Sequence, residues 1–197
     1  MSLVELDSDG HVATVTLSRP EALNAISGEM ADELAGAVLT AAADPGAWVL
    51  VLAAAGEKAF CVGADLKERG ALDDAGWMRN RVQIRGLFEA LRAVPQPTIA
   101  SVFGFALGGG FELALSCDFI VASDDAQLGL PEVRVGIIPG GGGTQLVARK
   151  VGEARAKDIV LTGRRVSAEE AFGYGLVHRV APRADLEKAT IELAEEL

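Results

Sequence analysis

The sequence lacks the residues on which several functional classes depend. It contains only two cysteines, Cys61 and Cys117, and two histidines, His11 and His178, in 197 residues. Two cysteines are too few for a disulfide framework, and neither belongs to a Cys-x-x-Cys pair. Because thiolate and imidazole ligands are nearly missing, we expect no metal site and interpret both histidines as structural.

Positive charge and long apolar runs are also scarce. Lys plus Arg number 18 against 28 for Asp plus Glu, which gives a formal net charge of −10. Nucleic acids and anionic membrane surfaces are bound by clustered Lys and Arg, so we expect neither partner. The apolar stretch 108–116 is interrupted by Glu112 and is too short to span a bilayer. With no secretory leader expected, the composition predicts a soluble, cytoplasmic protein.

Apolar residues make up 50% of the chain, and their spacing predicts strands that alternate with helices. The expected strands are a hairpin of 3–6 and 11–17, then 48–52, 98–102, 118–122 and 177–180. The expected helices are 27–43, 74–91, one from about 109, segments up to 161, and 185–197. This alternation predicts an α/β fold with mostly parallel strands, in a single domain over residues 1–197.

Three glycine-containing segments are candidates for ligand binding. Segments 104–110 and 139–144 lack the Gly-x-Gly-x-x-Gly spacing of a dinucleotide site and the lysine of a phosphate-binding loop. Glycines at a helix start do leave backbone N–H groups that a ligand can approach, and the helix dipole there favours an anionic oxygen. Segment 60–66 also contains a glycine that would let a ligand approach its backbone N–H groups. The alternative is that these glycines only form turns and permit close packing.

Two carboxylates follow these segments. Glu112 lies among apolar neighbours in the first turn of a predicted helix, and Glu132 follows Pro131. Each taken alone is compatible with a solvated surface acid. Together, beside two converging N–H groups, they predict an enzyme that holds one water and moves protons at carbon.

These residues together resemble the enoyl-CoA hydratase/isomerase family of the crotonase superfamily. The resemblance covers nearly the whole chain, and parts of it look like the methylglutaconyl-CoA hydratases. It is carried by segments 24–25, 60–67, 99–118, 130–133, 138–145, 161–163 and 171–180.

The resemblance implies a fold, a site and a substrate. The fold would be a right-handed spiral of ββα units. The substrate would be an acyl-CoA thioester, with no further cofactor because coenzyme A is part of the substrate. The implied site consists of catalytic Glu112 and Glu132, an oxyanion hole from the N–H groups of Ala64 and Gly109, and CoA or substrate contacts from Ala64, Asp65, Leu66, Lys67 and Gly109.

The implied reaction is syn addition of water to a trans-2-enoyl-CoA. Glu112 would activate the water and Glu132 would protonate the α-carbon. The alternatives are an enoyl-CoA isomerase, which moves a double bond without adding water, and a noncatalytic acyl-CoA-binding or assembly protein. An RNA-binding role is a distant third, because the early helix 27–43 contains no Lys or Arg.

The resemblance also implies an assembly. Family members form trimers or hexamers through a C-terminal helical segment, and we expect that segment to be missing from these 197 residues. The last helical pattern, 185–197, contains no residue that typically ends a helix. Leu72, Trp77 and Met78 are candidates to line an acyl pocket, although a helix with this pattern is more often part of a core.

Overall fold

The protein is described by a computed structural model over residues 2–197. The strands are β1 Val4–Asp9, β2 Val12–Leu17, β3 Val49–Ala54, β4 Ala59–Cys61, β5 Thr98–Val102, β6 Phe105–Leu107, β7 Phe119–Ser123, β8 Gln127–Gly129, β9 Arg165–Ser167 and β10 Arg179–Ala181. The α-helices are α1 Gly28–Ala43, α2 Leu66–Gly70, α3 Asp74–Arg92, α4 Gly109–Ser116, α5 Gly143–Val151, α6 Glu153–Thr162, α7 Ala168–Gly173 and α8 Leu186–Glu196.

The larger sheet contains six strands in the order β1-β2-β3-β5-β7-β10. Only the β1–β2 pair is antiparallel, and its tight turn places Gly10 at φ +57°. The remaining pairs, from β2–β3 to β7–β10, are parallel. The predicted hairpin and the predicted parallel pairing are therefore both confirmed.

A second sheet, in the order β4-β6-β8-β9, consists of three-residue strands that the sequence pattern does not predict. Three residues are too short to show a recognisable alternation of apolar and polar side chains. Strands β4, β6 and β8 each follow a strand of the larger sheet, and β4 and β6 lead directly to α2 and α4. This repetition is the ββα spiral that the resemblance implies, so the expected fold is confirmed.

Five predicted strands begin one or two residues later than expected, and both histidines make structural contacts. Strand β3 excludes Trp48, which is 60% exposed and stacks on His11 at 3.6 Å between ring centroids. The predicted strand 177–180 is found at Arg179–Ala181, and Val177 lies before it as a buried residue of the core. His178 Nδ1 accepts a hydrogen bond from Ile120 N at 3.0 Å.

Both faces of the larger sheet are covered. In β3, Leu50 and Leu52 belong to the main core, which also contains buried residues of α1, α3 and α4. The alternate residues Val49 and Val51 pack on the other face with buried residues of α8. This arrangement explains the continuous apolar run of a central parallel strand. Within residues 2–197, no helix is long and apolar enough to cross a membrane.

Asn24 connects the loop before α1 to the segment between β3 and β4 through hydrogen bonds of its side chain. Its side chain is fully buried and its backbone adopts a left-handed φ of +54°. The Oδ1 atom accepts from Arg19 N at 2.9 Å, and Nδ2 donates to Ala55 O and Ala59 O, each at 3.0 Å. One side chain therefore satisfies three backbone groups of two separate loops.

We expect Asn24→Ala to lower the free energy of unfolding by about 2–4 kcal/mol. The substitution leaves backbone groups at both ends of the contact without hydrogen-bond partners. It also places alanine, which adopts positive φ less readily than asparagine, in a left-handed conformation. Urea denaturation followed by circular dichroism measures the change. Gly36→Ala is a matched control on exposed α1 surface, where a Cβ meets nothing within 4 Å and about 0.5–1 kcal/mol of stabilisation is expected. A loss below about 0.5 kcal/mol for Asn24→Ala would contradict the assigned role.

Candidate active site

Two chain segments meet where β4 leads to α2 and β6 leads to α4. A Cβ atom added to Gly63 would lie 2.9 Å from Gly109 N, and one added to Gly109 would lie 3.5 Å from Gly63 Cα. Gly63 also has φ +90°, a conformation that other residues rarely adopt. The glycine at position 63 is thus required both by its backbone conformation and by the close approach of the second segment.

This contact places two unpaired amides side by side. Within residues 2–197, neither Ala64 N–H nor Gly109 N–H donates a hydrogen bond, and Gly109 is the first residue of α4. Their neighbours are engaged, since Gly63 N–H donates to Cys61 Sγ at 3.4 Å and Gly108 N–H donates to Gly129 O at 2.9 Å. The arrangement leaves two backbone donors without partners close to each other in the described part of the chain.

Glu112 lies one turn into α4 and is only 3% exposed. Its Oε1 atom accepts hydrogen bonds from Gly141 N at 2.8 Å and Gly143 N at 2.7 Å. Segment 139–144 therefore binds this carboxylate rather than a ligand oxygen. This corrects the interpretation of segment 139–144 as a candidate for ligand binding. Burial raises the pKa of Glu112 above its ordinary value, and the N–H groups of Gly143 and Gly141 oppose the rise.

Glu132 lies in a short 3₁₀ turn, Pro131–Val135, and is 8% exposed. A Cβ added to Gly108 would be 3.2 Å from Glu132 Oε1, so this carboxyl lies beside the start of α4. Its Oε2 atom is buried and has no hydrogen-bond partner among the residues described. Burial raises the pKa of Glu132 to about 7, and the charge of Glu112 adds to the rise. The alternative of two solvated surface acids is wrong for both residues.

The remaining predicted contacts lie around α2. Asp65 caps this helix by accepting from Lys67 N at 3.0 Å and Glu68 N at 3.1 Å, and it pairs with Arg19 at 2.8 Å. The N–H of Glu68 contributes most to lowering the Asp65 pKa. Leu66 and Lys67 are exposed on the first turn. Contact of these residues with coenzyme A stays a prediction.

Arg69, which the sequence analysis did not identify, lies in the region that we expected to line an acyl pocket. Trp77 and Met78 are 43% and 62% exposed, so they are not core residues. The Arg69 guanidinium lies 5.8 Å from the centroid of the Trp77 ring, and its Nε donates to buried Asn80 Oδ1 at 3.1 Å. Nothing in the spacing of Arg69 distinguished it from an ordinary residue of a solvated helix.

A family model described as enoyl-CoA hydratase/isomerase matches residues 7–197. The chain belongs to this family. A Rhizobium meliloti protein named probable enoyl-CoA hydratase is 46% identical over 186 residues, which cover 93% of this chain and 71% of that protein. The short-chain-enoyl-CoA hydratase of Clostridium acetobutylicum is 38% identical over 194 residues, covering 98% and 74% respectively.

Solved structures of enoyl-CoA hydratases have the same fold. The enoyl-CoA hydratase from Bacillus anthracis superposes with a TM-score of 0.95 at 43% identity, covering 99% of this chain and 76% of that chain. This agreement confirms the crotonase-type spiral and the assignment to an enzymatic enoyl-CoA hydratase/isomerase family. The narrower resemblance to methylglutaconyl-CoA hydratases is not confirmed by these relatives.

We expect the buried Glu132 carboxyl to make the stability of this enoyl-CoA hydratase/isomerase family member depend on pH. Its pKa is raised in the folded state, so the native protein retains a proton that the unfolded chain loses above pH 4.5. The stabilising contribution is complete below about pH 4.5 and is lost as the pH rises to about 7.

Comparison of wild type with Glu132→Gln tests this expectation. From pH 5 to pH 8, the free energy of unfolding of the variant should rise relative to wild type by about 1–3 kcal/mol, allowing for solvent screening. Urea denaturation at each pH measures the difference. A difference that is independent of pH would show that Glu132 titrates as an ordinary carboxyl.

Proposed function

We propose that this protein hydrates trans-2-enoyl-CoA thioesters to 3-hydroxyacyl-CoA. Water adds to the β-carbon, the α-carbon gains a proton, and negative charge develops on the thioester oxygen as the first bond forms. The reaction therefore needs a group that activates water, a group that supplies a proton, and donors for the oxygen. Two buried carboxyls and two backbone amides able to fill these roles lie around the start of α4.

The observation that carries the proposal is the pair of buried glutamates in different surroundings. Glu112 accepts two backbone N–H bonds, which favour its ionised form and suit it to accept a proton from water. Glu132 has a pKa raised to about 7 and, among the described residues, no hydrogen-bond partner for its Oε2 atom, which suits it to deliver a proton near neutral pH. An isomerase needs only one group that moves a proton between two carbons. Two carboxyls therefore favour hydration.

The adjacent N–H groups of Ala64 and Gly109 are proposed to bind the thioester oxygen. Such donors stabilise charge that is larger in the transition state than in the substrate, and removing one from a comparable site costs roughly 3–4 kcal/mol. Glu132 lies beside Gly108, so a thioester bound to these amides has its α-carbon near the proton donor. Charge develops on one oxygen and protons move through carboxyls, so the proposal includes no metal or redox cofactor.

We further propose that coenzyme A, as part of the substrate, lies along segment 64–67. Exposed Leu66 and Lys67 provide an apolar surface and a cation at the start of α2. The Asp65 side chain supports this segment through its helix cap and its pair with Arg19. A homotrimer or hexamer stays the assembly predicted for a chain that carries the C-terminal helical segment.

Hydration of crotonyl-CoA, followed as loss of enoyl absorbance, tests the proposed function. We expect Glu112→Gln and Glu132→Gln each to lower kcat by about 10²–10⁴, because each removes one proton-transfer group while preserving shape. Glu29→Gln, at an exposed position in the first turn of α1, is the matched control and should retain wild-type kcat. Wild-type turnover in the double Gln variant would exclude the two-carboxylate mechanism.

Reaction in ¹⁸O-labelled water distinguishes hydration from isomerisation. Hydration places the label in the 3-hydroxy group, whereas movement of a double bond in a trans-3-enoyl-CoA places none. Binding of crotonyl-CoA without any turnover would instead support the noncatalytic acyl-CoA-binding alternative. We expect the wild-type protein to place the label in the product, and the variant with both Glu112→Gln and Glu132→Gln to place none.

A further inference from the structure

The loop between the 3₁₀ turn and α5 connects the proposed base to the C-terminal end of α3. Gly141 N–H donates to Glu112 Oε1 at 2.8 Å. The carbonyl oxygen of the same residue accepts from Arg92 Nη1, also at 2.8 Å. Gly141 therefore lies between the buried carboxylate on one side and a cation of α3 on the other.

Phe88 forms the wall against which this loop packs. A Cβ added to Gly141 would lie 2.4 Å from Phe88 Cζ, so only glycine fits against the ring. The Arg92 guanidinium lies 5.8 Å from the centroid of the same ring. Phe88 and Arg92 are four residues apart, on one face of α3. That face of α3 contacts the loop both by packing and by a charge-assisted hydrogen bond.

Few other interactions hold the loop. In the part of the chain that the structure describes, residues 138–141 take part in no backbone–backbone hydrogen bond. The loop contains four consecutive glycines, 140–143, and glycine loses more backbone conformational freedom on folding than any other type of residue. The orientation of the amides that bind Glu112 therefore depends on the side chains that contact the loop.

We propose that Arg92 is a positioning residue for Glu112. By binding the Gly141 carbonyl, it fixes the peptide whose N–H orients the carboxylate, and it acts without contacting the substrate. The inference rests on the proposed function, because Glu112 must be the group that activates water. Nothing in the sequence pattern separates Arg92 from the other arginines of α3.

The test compares Arg92→Met, Arg92→Lys and Arg85→Met in crotonyl-CoA hydration. We expect Arg92→Met to lower kcat roughly fivefold to twentyfold, with KM within about twofold. This is less than the full effect of a charge-assisted hydrogen bond, because Arg92 acts on Glu112 only through the Gly141 peptide. Arg92→Lys keeps a cationic donor and should recover most of the rate. Arg85 lies on the same helix, is exposed and pairs with Glu89, so Arg85→Met should retain wild-type kcat.

Hydrogen exchange of the loop provides a readout that does not require turnover. The peptide spanning 138–146 should exchange faster in Arg92→Met than in wild type or Arg85→Met, because the Gly141 amide is less firmly held. Unchanged exchange, unchanged kcat, or an equal loss of kcat in Arg85→Met would each overturn the inference. If the wild-type chain shows no hydration, the proposed function fails, whereas the exchange comparison still reports whether Arg92 holds the loop.

Discussion

The site depends on one close backbone approach, between the segment that follows β4 and the segment that begins α4. Side chains would prevent this approach, since a Cβ on Gly110 would lie 2.0 Å from Cys61 O and one on Gly63 would lie 2.9 Å from Gly109 N. With glycine at both positions, Ala64 and Gly109 present their amides to the same space. Glu112 is then placed by its position three residues into α4, and Glu132 by its packing beside Gly108.

Around this contact, two acids are buried without a cation within 4 Å among the residues described. A salt bridge would hold a carboxylate ionised and lower its pKa, which opposes proton delivery. The structure treats the two acids differently. Glu112 accepts hydrogen bonds from backbone N–H groups, whereas Glu132 has a pKa of about 7 and a buried oxygen without a hydrogen-bond partner in residues 2–197. These different surroundings are the basis of the proposed roles, Glu112 as proton acceptor and Glu132 as proton donor.

The sequence predicted the larger sheet and the long helices because these elements have enough residues to show a period. The apolar run of β3 and the helical spacing of α1 are examples. The second sheet was missed because its strands contain only three residues each, and their pairing is set by the strands before them. The acidic residues themselves were identified, but their burial was not, because it depends on tertiary contacts. Glu112 is covered by a glycine-rich segment that comes later in the chain, and the turn that contains Glu132 packs beside Gly108, which comes earlier.

The two helices that begin at glycine, α4 and α5, are alike in sequence but differ in their tertiary contacts. Both α4 and α5 begin at glycine, and their first backbone N–H groups have no partner within the helix, so the sequence alone assigns each the same capacity to bind an anion. Only tertiary contacts separate them, since α5 packs where the Glu112 side chain reaches Gly143, while nothing in the described chain reaches Gly109 N. The helix start that remains unoccupied is therefore the one available to a substrate oxygen. The start of α5 instead holds the Glu112 carboxylate in a fixed orientation, in place of a counterion.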